Sequence, residues 1–401
     1  MKMQAILSNG RHSEYGDITV SFPIPEQEYD HILDLLRPME IGDAVQRDCK
    51  LDELYSGYSS LKRLEGQAVN LDELDYLAKR LDSFDKYEAA QFEATLSKLG
   101  LTDMTDIINL TFCCQQVTVI TDFSDLEQLG KRHLLTTHGC WANMYRVEDV
   151  DGYEIALFLI NGGGGVITPY GVLYDNGMQL EQVYDGTHFP GYHYKPNMLV
   201  VGLTDRSEPE DNTNKTTWLY LPAAKGQIDR AILRSGITDP NDMCFWTDGS
   251  EFPEEIDAAL DFGMEDIYVL NDLAQAVDRL SQADRAKLGA AITMAKPEYA
   301  SQIRHLAENL DQFEFAPGAH TPAEYGKYMI QESGHFDYDP NLDGFYDYEG
   351  YGRRHVEQES GMFTARGYIW YQGSLSLDEL MMEDPAEQHQ GEQGLQMGGM
   401  T

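Results

Sequence analysis

Basic residues are scarce in this chain. Its 401 residues hold 29 Lys and Arg against 68 Asp and Glu, a formal net charge of −39. With so few cations to face phosphates, direct nucleic-acid binding is not expected. Long apolar runs are missing too. Nothing approaches the roughly 18 uninterrupted apolar residues of a membrane span, and MKMQAILSNG at the N-terminus carries no sustained apolar run, so neither a span nor a secretion signal is expected. The cysteines are few and odd in number: Cys49, Cys113, Cys114, Cys140 and Cys244. None forms a C-x-x-C, and Cys113 and Cys114 are too close for an ordinary disulfide, which points to a reducing cytoplasm. Catalytic motifs are absent as well: there is no H-E-x-x-H, G-x-S-x-G or Walker loop. Carboxylate pairs are too abundant for any one to be singled out. His133, His138 and Cys140 supply three metal-type ligands without the paired spacing of a structural zinc site. No enzyme, cofactor or metal centre is expected.

What is present is acid on a foldable background. A hydrophobic content of 42% with 11% aromatics is enough for two or three domains with cores. So much negative charge costs self-repulsion and asks for a reason. A halophilic cytoplasm, many bound divalent cations, or a partner that normally binds polyanions would each supply one. The retained basic residues and large apolar side chains weaken the first. For the third, B-DNA carries one charge per roughly 1.7 Å of axis, so the net charge corresponds to about 66 Å, on the order of 20 base pairs.

Along the chain, DITVSFPIP reads as a strand, followed by a helix from Glu26. In NLDELDYLAKRLDSFDKYEAAQFEATLSKL, Leu71, Leu74, Leu77, Ala78 and Leu81 recur at helical spacing and form one buried face. Asp72, Glu73, Asp75 and Asp82 fall off that face and are expected at solvent. TDFSDLEQL, from Thr121, supplies an N-cap for a further helix. Beyond it, YEIALFLI, VITPYGVLYD and MLVVGLT read as strands of a small antiparallel sheet. Between the first two, NGGGGVITPYG reads as a hairpin turn; it lacks G-K-[ST], and Ile167 stands where the last glycine of G-x-G-x-x-G belongs. Asp205–Lys215 looks like a linker. From Thr216 the first half returns: Pro23, Asp30, Leu71, Leu74, Arg80, Leu81 and Asp85 correspond to Pro222, Asp229, Leu270, Leu273, Arg279, Leu280 and Asp284, each 199 further on. DFSDLEQLGK, ending at Lys131, echoes HTPAEYGK, ending at Lys327. The chain is therefore read as an internal duplication. A Gln/Gly/Met-rich tail after Gly373 is expected to be disordered.

The stretch DPNLDGFYDYEG opens like a calcium loop, with Asp339, Asn341, Asp343 and Gly344 at positions 1, 3, 5 and 6. Position 12 is Gly350 rather than a bidentate glutamate, and Glu349 comes one place early, so the metal reading fails. Read onward, FYDYEGYGRRHVEQESGMFTARGYIW resembles the C-terminal signature of the ArdA antirestriction proteins. The matching residues are Asp347, Tyr348, Tyr351, Gly352 and Arg353, then Gly361, Phe363 and Gly367. Upstream, TPAEYGKYMIQESG looks like that family's helix before the signature, and the resemblance extends back to about Thr216. The first 133 residues are similar to the same family's earlier parts but show no counterpart of the signature. The sheet expected over 141–214 has no obvious place in the short family members.

The resemblance implies an elongated α+β chain with two ArdA-like copies of small sheets and helix bundles, over 1–140 and 216–374. A β-rich segment (141–204), a linker (205–215) and the tail (375–401) complete it. It also implies a cytoplasmic protein that imitates DNA phosphates with carboxylates. Such proteins occupy the DNA-binding groove of type I restriction–modification complexes, on their specificity and modification subunits, and protect incoming plasmid or conjugative-element DNA. A homodimer is one arrangement. The mimic surface is expected to include Asp72, Glu73, Asp75, Asp82 and Asp85 on helices, and Asp337, Asp339, Asp343, Asp347 and Glu349 near the signature. Asp347 has a competing structural reading, pairing with Arg353 or Arg354, and Tyr348, Tyr351 and Phe363 are read as core. Two alternatives stay open: a calcium-dependent binding or adhesion module, and an inhibitor of a different DNA-binding defence system.

Overall fold

The computed structural model describes residues 3–138, 150–207, 215–238, 242–334 and 337–382. Cys140, most of the expected linker and most of the expected tail lie outside them. Within them one order of strands and helices is laid down twice, except that the short strand Ala68–Val69 stands before the helix Leu71–Asp82 in the first pass and the short helix Glu254–Ala259 before the helix Ile267–Asp278 in the second. The first pass runs β1 (Met3–Asn9), β2 (Asp17–Phe22), α1 (Glu26–Leu36), β3 (Cys49–Tyr55), β4 (Ala68–Val69), α2 (Leu71–Asp82), α3 (Lys86–Leu99) and α4 (Met104–Cys113). It continues through β5 (Thr118–Ile120), α5 (Leu126–His138), α6 (Gly152–Gly162), β6 (Val166–Thr168) and β7 (Gly171–Tyr174).

The second pass runs β8 (Leu199–Asp205), β9 (Thr217–Leu221), α7 (Lys225–Ser235), β10 (Met243–Ser250), α8 (Glu254–Ala259), α9 (Ile267–Asp278), α10 (Gln282–Ala295) and α11 (Ala300–Glu308). It ends with β11 (Phe313–Pro317), α12 (Pro322–Gln331), α13 (Tyr348–Gln358), β12 (Met362–Phe363) and β13 (Gly367–Tyr371), and α14 (Leu377–Met381) follows.

Sheet order repeats with the elements. The first pass has β2-β1-β3-β4 and β5-β7-β6; the second has β10-β8-β9 and β11-β13-β12. Register is kept as well, with Ile120 opposite Val172 and Ala316 opposite Tyr368, each pair 196 apart from its equivalent. Most elements share that spacing: Met3 and Leu199, Lys86 and Gln282, Gly152 and Tyr348, Gly171 and Gly367 begin equivalent elements. The 199 spacing read from the sequence holds only locally, from Pro23 and Pro222 through α1 and α7. In α2 and α9 the equivalent positions are Leu71 and Ile267, and Leu74 and Leu270. The leucine match at 199 was a coincidence of helical spacing, which lets a heptad-like pattern align three or four residues off.

Three expectations need correction. YEIALFLI is not a strand: it lies in α6, capped by Asp151, whose side chain accepts the Glu154 N–H at 3.1 Å. A short continuous apolar run does not distinguish a buried helix from a buried strand. The glycines after it are therefore the exit from a helix, with Gly163 and Gly164 at positive φ, and the hairpin turn comes later, between β6 and β7. Finally, β8 opens the second repeat, so that repeat begins before Thr216, and α6, β6 and β7 complete the first.

The chain divides into two compact units. One comprises Met1–Pro196, Leu203–Trp218 and Ala224–Cys244; the other comprises Asn197–Gly202, Leu219–Ala223 and Phe245–Thr401. The first unit is built around a large core of Leu7, Phe22, Leu51, Leu61, Leu74, Phe92, Ile108 and their neighbours. It contains α7, which packs on α1: Gly226 donates its N–H to Asp30 at 2.8 Å, and a Cβ there would lie 2.6 Å from Leu33. The second unit holds a cluster of Tyr325, Tyr368 and Trp370, with Tyr351 and Phe363 against it.

Candidate functional site

Asn70 caps α2, its side-chain oxygen accepting the N–H groups of Asp72 and Glu73. That fixes where the next acids point, and they point inward. Glu73 is 2% exposed and takes a two-pronged bond from Arg47, at 2.7 and 2.8 Å, plus the Tyr184 hydroxyl at 3.1 Å. Asp75 is 4% exposed; one oxygen accepts the Ile24 N–H at 2.7 Å and the other pairs with Lys79 at 2.7 Å. Asn271 plays the same part in the second repeat, accepting the Ala223 N–H at 2.8 Å. Asp72 accepts the Tyr29 hydroxyl at 2.5 Å and is gripped by Arg230 at 3.0 Å and Arg234 at 3.1 Å, both from α7.

Both arginines are buried, and their remaining donors meet backbone oxygens of Gly42, Asp43, Ala44 and Thr187. Arg234 also lies 4.5 Å from the Phe189 ring centroid. Burial works against the charge of Arg230, but Asp72 and Tyr29 outweigh it and its pKa is raised. Burial first, then Asp72, drives the Tyr29 hydroxyl well above its ordinary value. Glu73 and Asp75 are therefore not solvent-facing acids, and Asp72 is committed to an internal cation pair. A helix whose leucines mark one face is here covered on a second face, by α7 and by residues 175–195. That tyrosine-rich stretch ties down through Tyr184 on Asn109, Tyr76 on Pro190 and Tyr194 on Asp82.

The other predicted acids stay outside. Asp82 and Asp85 are exposed; Asp82 accepts the Tyr194 hydroxyl at 2.7 Å. Asp85 caps α3 in a reciprocal box with Glu88. In the second unit Asp337, Asp339, Asp343, Asp347 and Glu349 are all exposed. The segment that opened like a calcium loop is a turn of 3₁₀ helix, Pro340–Phe345, capped by Asp339 through the Asn341 N–H at 2.9 Å. Asp343 accepts three donors on one oxygen: Tyr348 at 2.5 Å, Gln331 at 2.8 Å and Tyr338 at 3.0 Å. Those bonds, Tyr348 first, hold its carboxyl below the usual value of 3.8. Desolvation, with Asp343, pushes the Tyr338 hydroxyl up to about 12.

Asp347 caps α13, accepting the Gly350 N–H at 2.9 Å, as Asp151 caps α6 one repeat earlier. Its structural role is thus a cap, whereas Arg353 pairs with Glu349 and Arg354 reaches the Gly350 carbonyl. Tyr351 and Phe363 are half-buried against the local core, in line with their reading as packing residues.

The rest of the signature is also packing. A Cβ on Gly326 would sit 2.0 Å from the Tyr348 carbonyl oxygen, and one on Gly352 would sit 1.8 Å from that of Pro322, so α12 and α13 cross in near contact. Gly130 meets the Gly152 carbonyl in the same way, at 1.8 Å, where α5 crosses α6. Thr364 donates to the Gly367 carbonyl at 2.8 Å, and Thr168 to that of Gly171 at 2.8 Å. GVITPYG is the first repeat's form of GMFTARG, and DGYEIA is its form of DYEGYG. Neither equivalence is legible without the register, because the residues that differ are the aromatic and basic ones a motif search relies on.

Among the described residues no helix is long and apolar enough to cross a membrane, and no three His, Cys, Asp or Glu side chains converge as a metal site. Each unit carries its own exposed, locally braced carboxylates, Asp82 and Asp85 in the first and Asp337, Asp339, Asp343, Asp347 and Glu349 in the second. A search of curated proteins returned no match to the chain. Residues 213–370, a stretch that ends within the signature strand β13, match the family described as Antirestriction protein (ArdA), and over that stretch the chain is ArdA-like.

Proposed function

We propose that the chain is an antirestriction protein acting as a DNA mimic. Its exposed carboxylates stand in for phosphates, and it competes with DNA for the binding groove of a type I restriction–modification complex, on the specificity and modification subunits. In this way it protects incoming mobile-element DNA. The match of residues 213–370 to the ArdA family carries the reading. It is supported by a net charge of −39 and by exposed acids at Asp82, Asp85, Asp337, Asp339, Asp343, Asp347 and Glu349. Glu73 and Asp75 leave the proposed surface because they are buried, and Asp72 leaves it because its charge is spent on Arg230 and Arg234.

The first repeat is proposed to be a second, divergent ArdA-like copy. Its equivalent element order and glycine contacts support this. Two copies in one chain would present mimic acids twice without a partner subunit, though a homodimer is also compatible with the reading. No catalysis is required: a basic groove gains from any polyanion of matching spacing.

The test is DNA cleavage by a purified type I complex with this protein titrated in. Stoichiometric inhibition that weakens as salt rises is expected. Absence of both binding and inhibition across several type I families would overturn the proposal.

A further inference from the structure

The first repeat holds a buried carboxylate that, among the described residues, pairs with no cation. Glu93 on α3 is 5% exposed; Oε2 accepts the Ser60 N–H at 3.3 Å, and Oε1 has no hydrogen-bond partner. Ser60 Oγ, next to it, is buried and unpartnered too. The nearby guanidinium of Arg63 is turned to backbone, with Nε on the Ser60 carbonyl at 2.8 Å and Nη1 on those of Leu96 and Leu101. Glu93 forms part of the wall of a pocket of about 310 Å³, with Tyr58, Phe84 and Tyr170 as aromatic walls and Asp82, Asp85 and Lys86 also lining it. An unpaired buried carboxylate is strongly disfavoured unless something supplies donors to it.

The second repeat shows what that something is. The positions equivalent to Ser59, Glu93 and Tyr170, each 196 further on, are Glu255, Gly289 and Arg366. In the first repeat Ser59 and Tyr170 share a hydrogen bond of 2.7 Å. In the second the same two positions form a two-pronged ion pair, Arg366 to Glu255 at 2.8 and 3.0 Å. The Glu255 carboxylate lies over Gly289, with Oε2 2.6 Å from where a Cβ would be. Both repeats thus place a carboxylate between these elements, from α8 in one and from α3 in the other. Only the second supplies a guanidinium with it.

We propose that the pocket of the first repeat binds a guanidinium cation from outside the chain, in the place the second repeat fills with Arg366. A planar guanidinium suits the site better than an ammonium: its fork matches a carboxylate, and its faces stack on tyrosine and phenylalanine rings. The same chemistry is offered by a free alkylguanidinium and by an arginine side chain of a protein partner. The inference rests on the two repeats and holds whether or not the antirestriction reading does.

The full chain is titrated with methylguanidinium chloride at physiological salt, by calorimetry. The expected result is one saturable site over a weak, non-saturating background from surface acids, with methylammonium at least tenfold weaker. Glu93→Gln removes the charge and Tyr170→Arg supplies the second repeat's own cation, so each should abolish the saturable component. Circular dichroism and thermal melting check that both variants are folded. No saturable site in the wild-type chain, or unchanged binding in a folded Glu93→Gln variant, overturns the proposal. A capped arginine, N-acetyl-arginine methylamide, separates the sources: binding as tight as methylguanidinium assigns the site to a protein arginine, and tenfold weaker binding assigns it to a free small cation.

Discussion

At the scale of single residues, acids of identical charge do opposite work here. Asp72 and Glu73 follow one another on α2; Asp72 anchors Arg230 and Arg234, and Glu73 anchors Arg47. Removing one partner from such a buried set strands the other's charge, which costs about 3–5 kcal/mol. Arg230 still faces Asp72 when Arg234 is lost, so Arg234→Ala is expected to lower unfolding stability by less, about 1–3 kcal/mol in urea denaturation, from the Ala44 and Thr187 carbonyls it leaves unpaired. The fraction still folded should inhibit as the wild type does, because Asp72 is no part of the outer surface. Asp343 is the contrasting case. Its folded pKa is depressed, so its bonds to Tyr348, Tyr338 and Gln331 contribute at pH values above the ordinary 3.8 and are lost as pH falls through the lower folded value. NMR titration should show the Asp343 carboxyl and the Tyr348 ring changing together, at a pH below that of an unperturbed aspartate. Independent titration of the two would contradict the bonding described.

At the scale of elements, the α12–α13 and α5–α6 crossings depend on missing side chains. The α12–α13 crossing leaves 2.0 Å between the Tyr348 carbonyl and a Cβ at position 326, a distance that only a backbone shift relieves. Gly326→Ala is expected to destabilise the second unit by about 1–3 kcal/mol, the usual range for overpacking. Hydrogen exchange should quicken in α12 and α13 before it does in α9. The sequence reading places α1, α2, α5 and α12, and runs α2 on into α3, where the structure breaks the chain between Asp82 and Lys86. Asn70, Asp85, Asp103 and Thr321 cap helices in the structure, their side chains accepting the N–H groups that helix starts leave open. It failed on α6, where Ile155–Ile160 is apolar on every side and carries no period to read.

At the scale of the whole molecule, the dominant quantity is net charge. Sixty-eight acids against 29 bases repel one another in any compact arrangement, and added salt screens the exposed ones while leaving buried pairs such as Arg47 with Glu73 largely untouched. The melting temperature is expected to rise as sodium chloride is added from low ionic strength. A flat or falling curve would mean that exposed ion pairs outweigh repulsion. The same salt should weaken inhibition of a restriction complex, so stability and inhibitory strength are predicted to move in opposite directions.

The sequence by itself determined the acidity, the α+β class, the duplication and the C-terminal resemblance, because charge, periodicity and a local signature survive without knowledge of contacts. The duplication was legible only in part: its spacing shifts between 196 and 199, and where the second repeat has Tyr348, Gly352 and Arg353 the first has Gly152, Ala156 and Leu157. Only the tertiary structure decided which acids face solvent. Helical spacing assigns a residue to a side of its own helix, and whether that side is covered depends on α7 and on residues 175–195, far away in the chain. Glu93 makes the same point, since its unpaired oxygen, and the Arg366–Glu255 pair at the equivalent place, exist only as relations between distant residues.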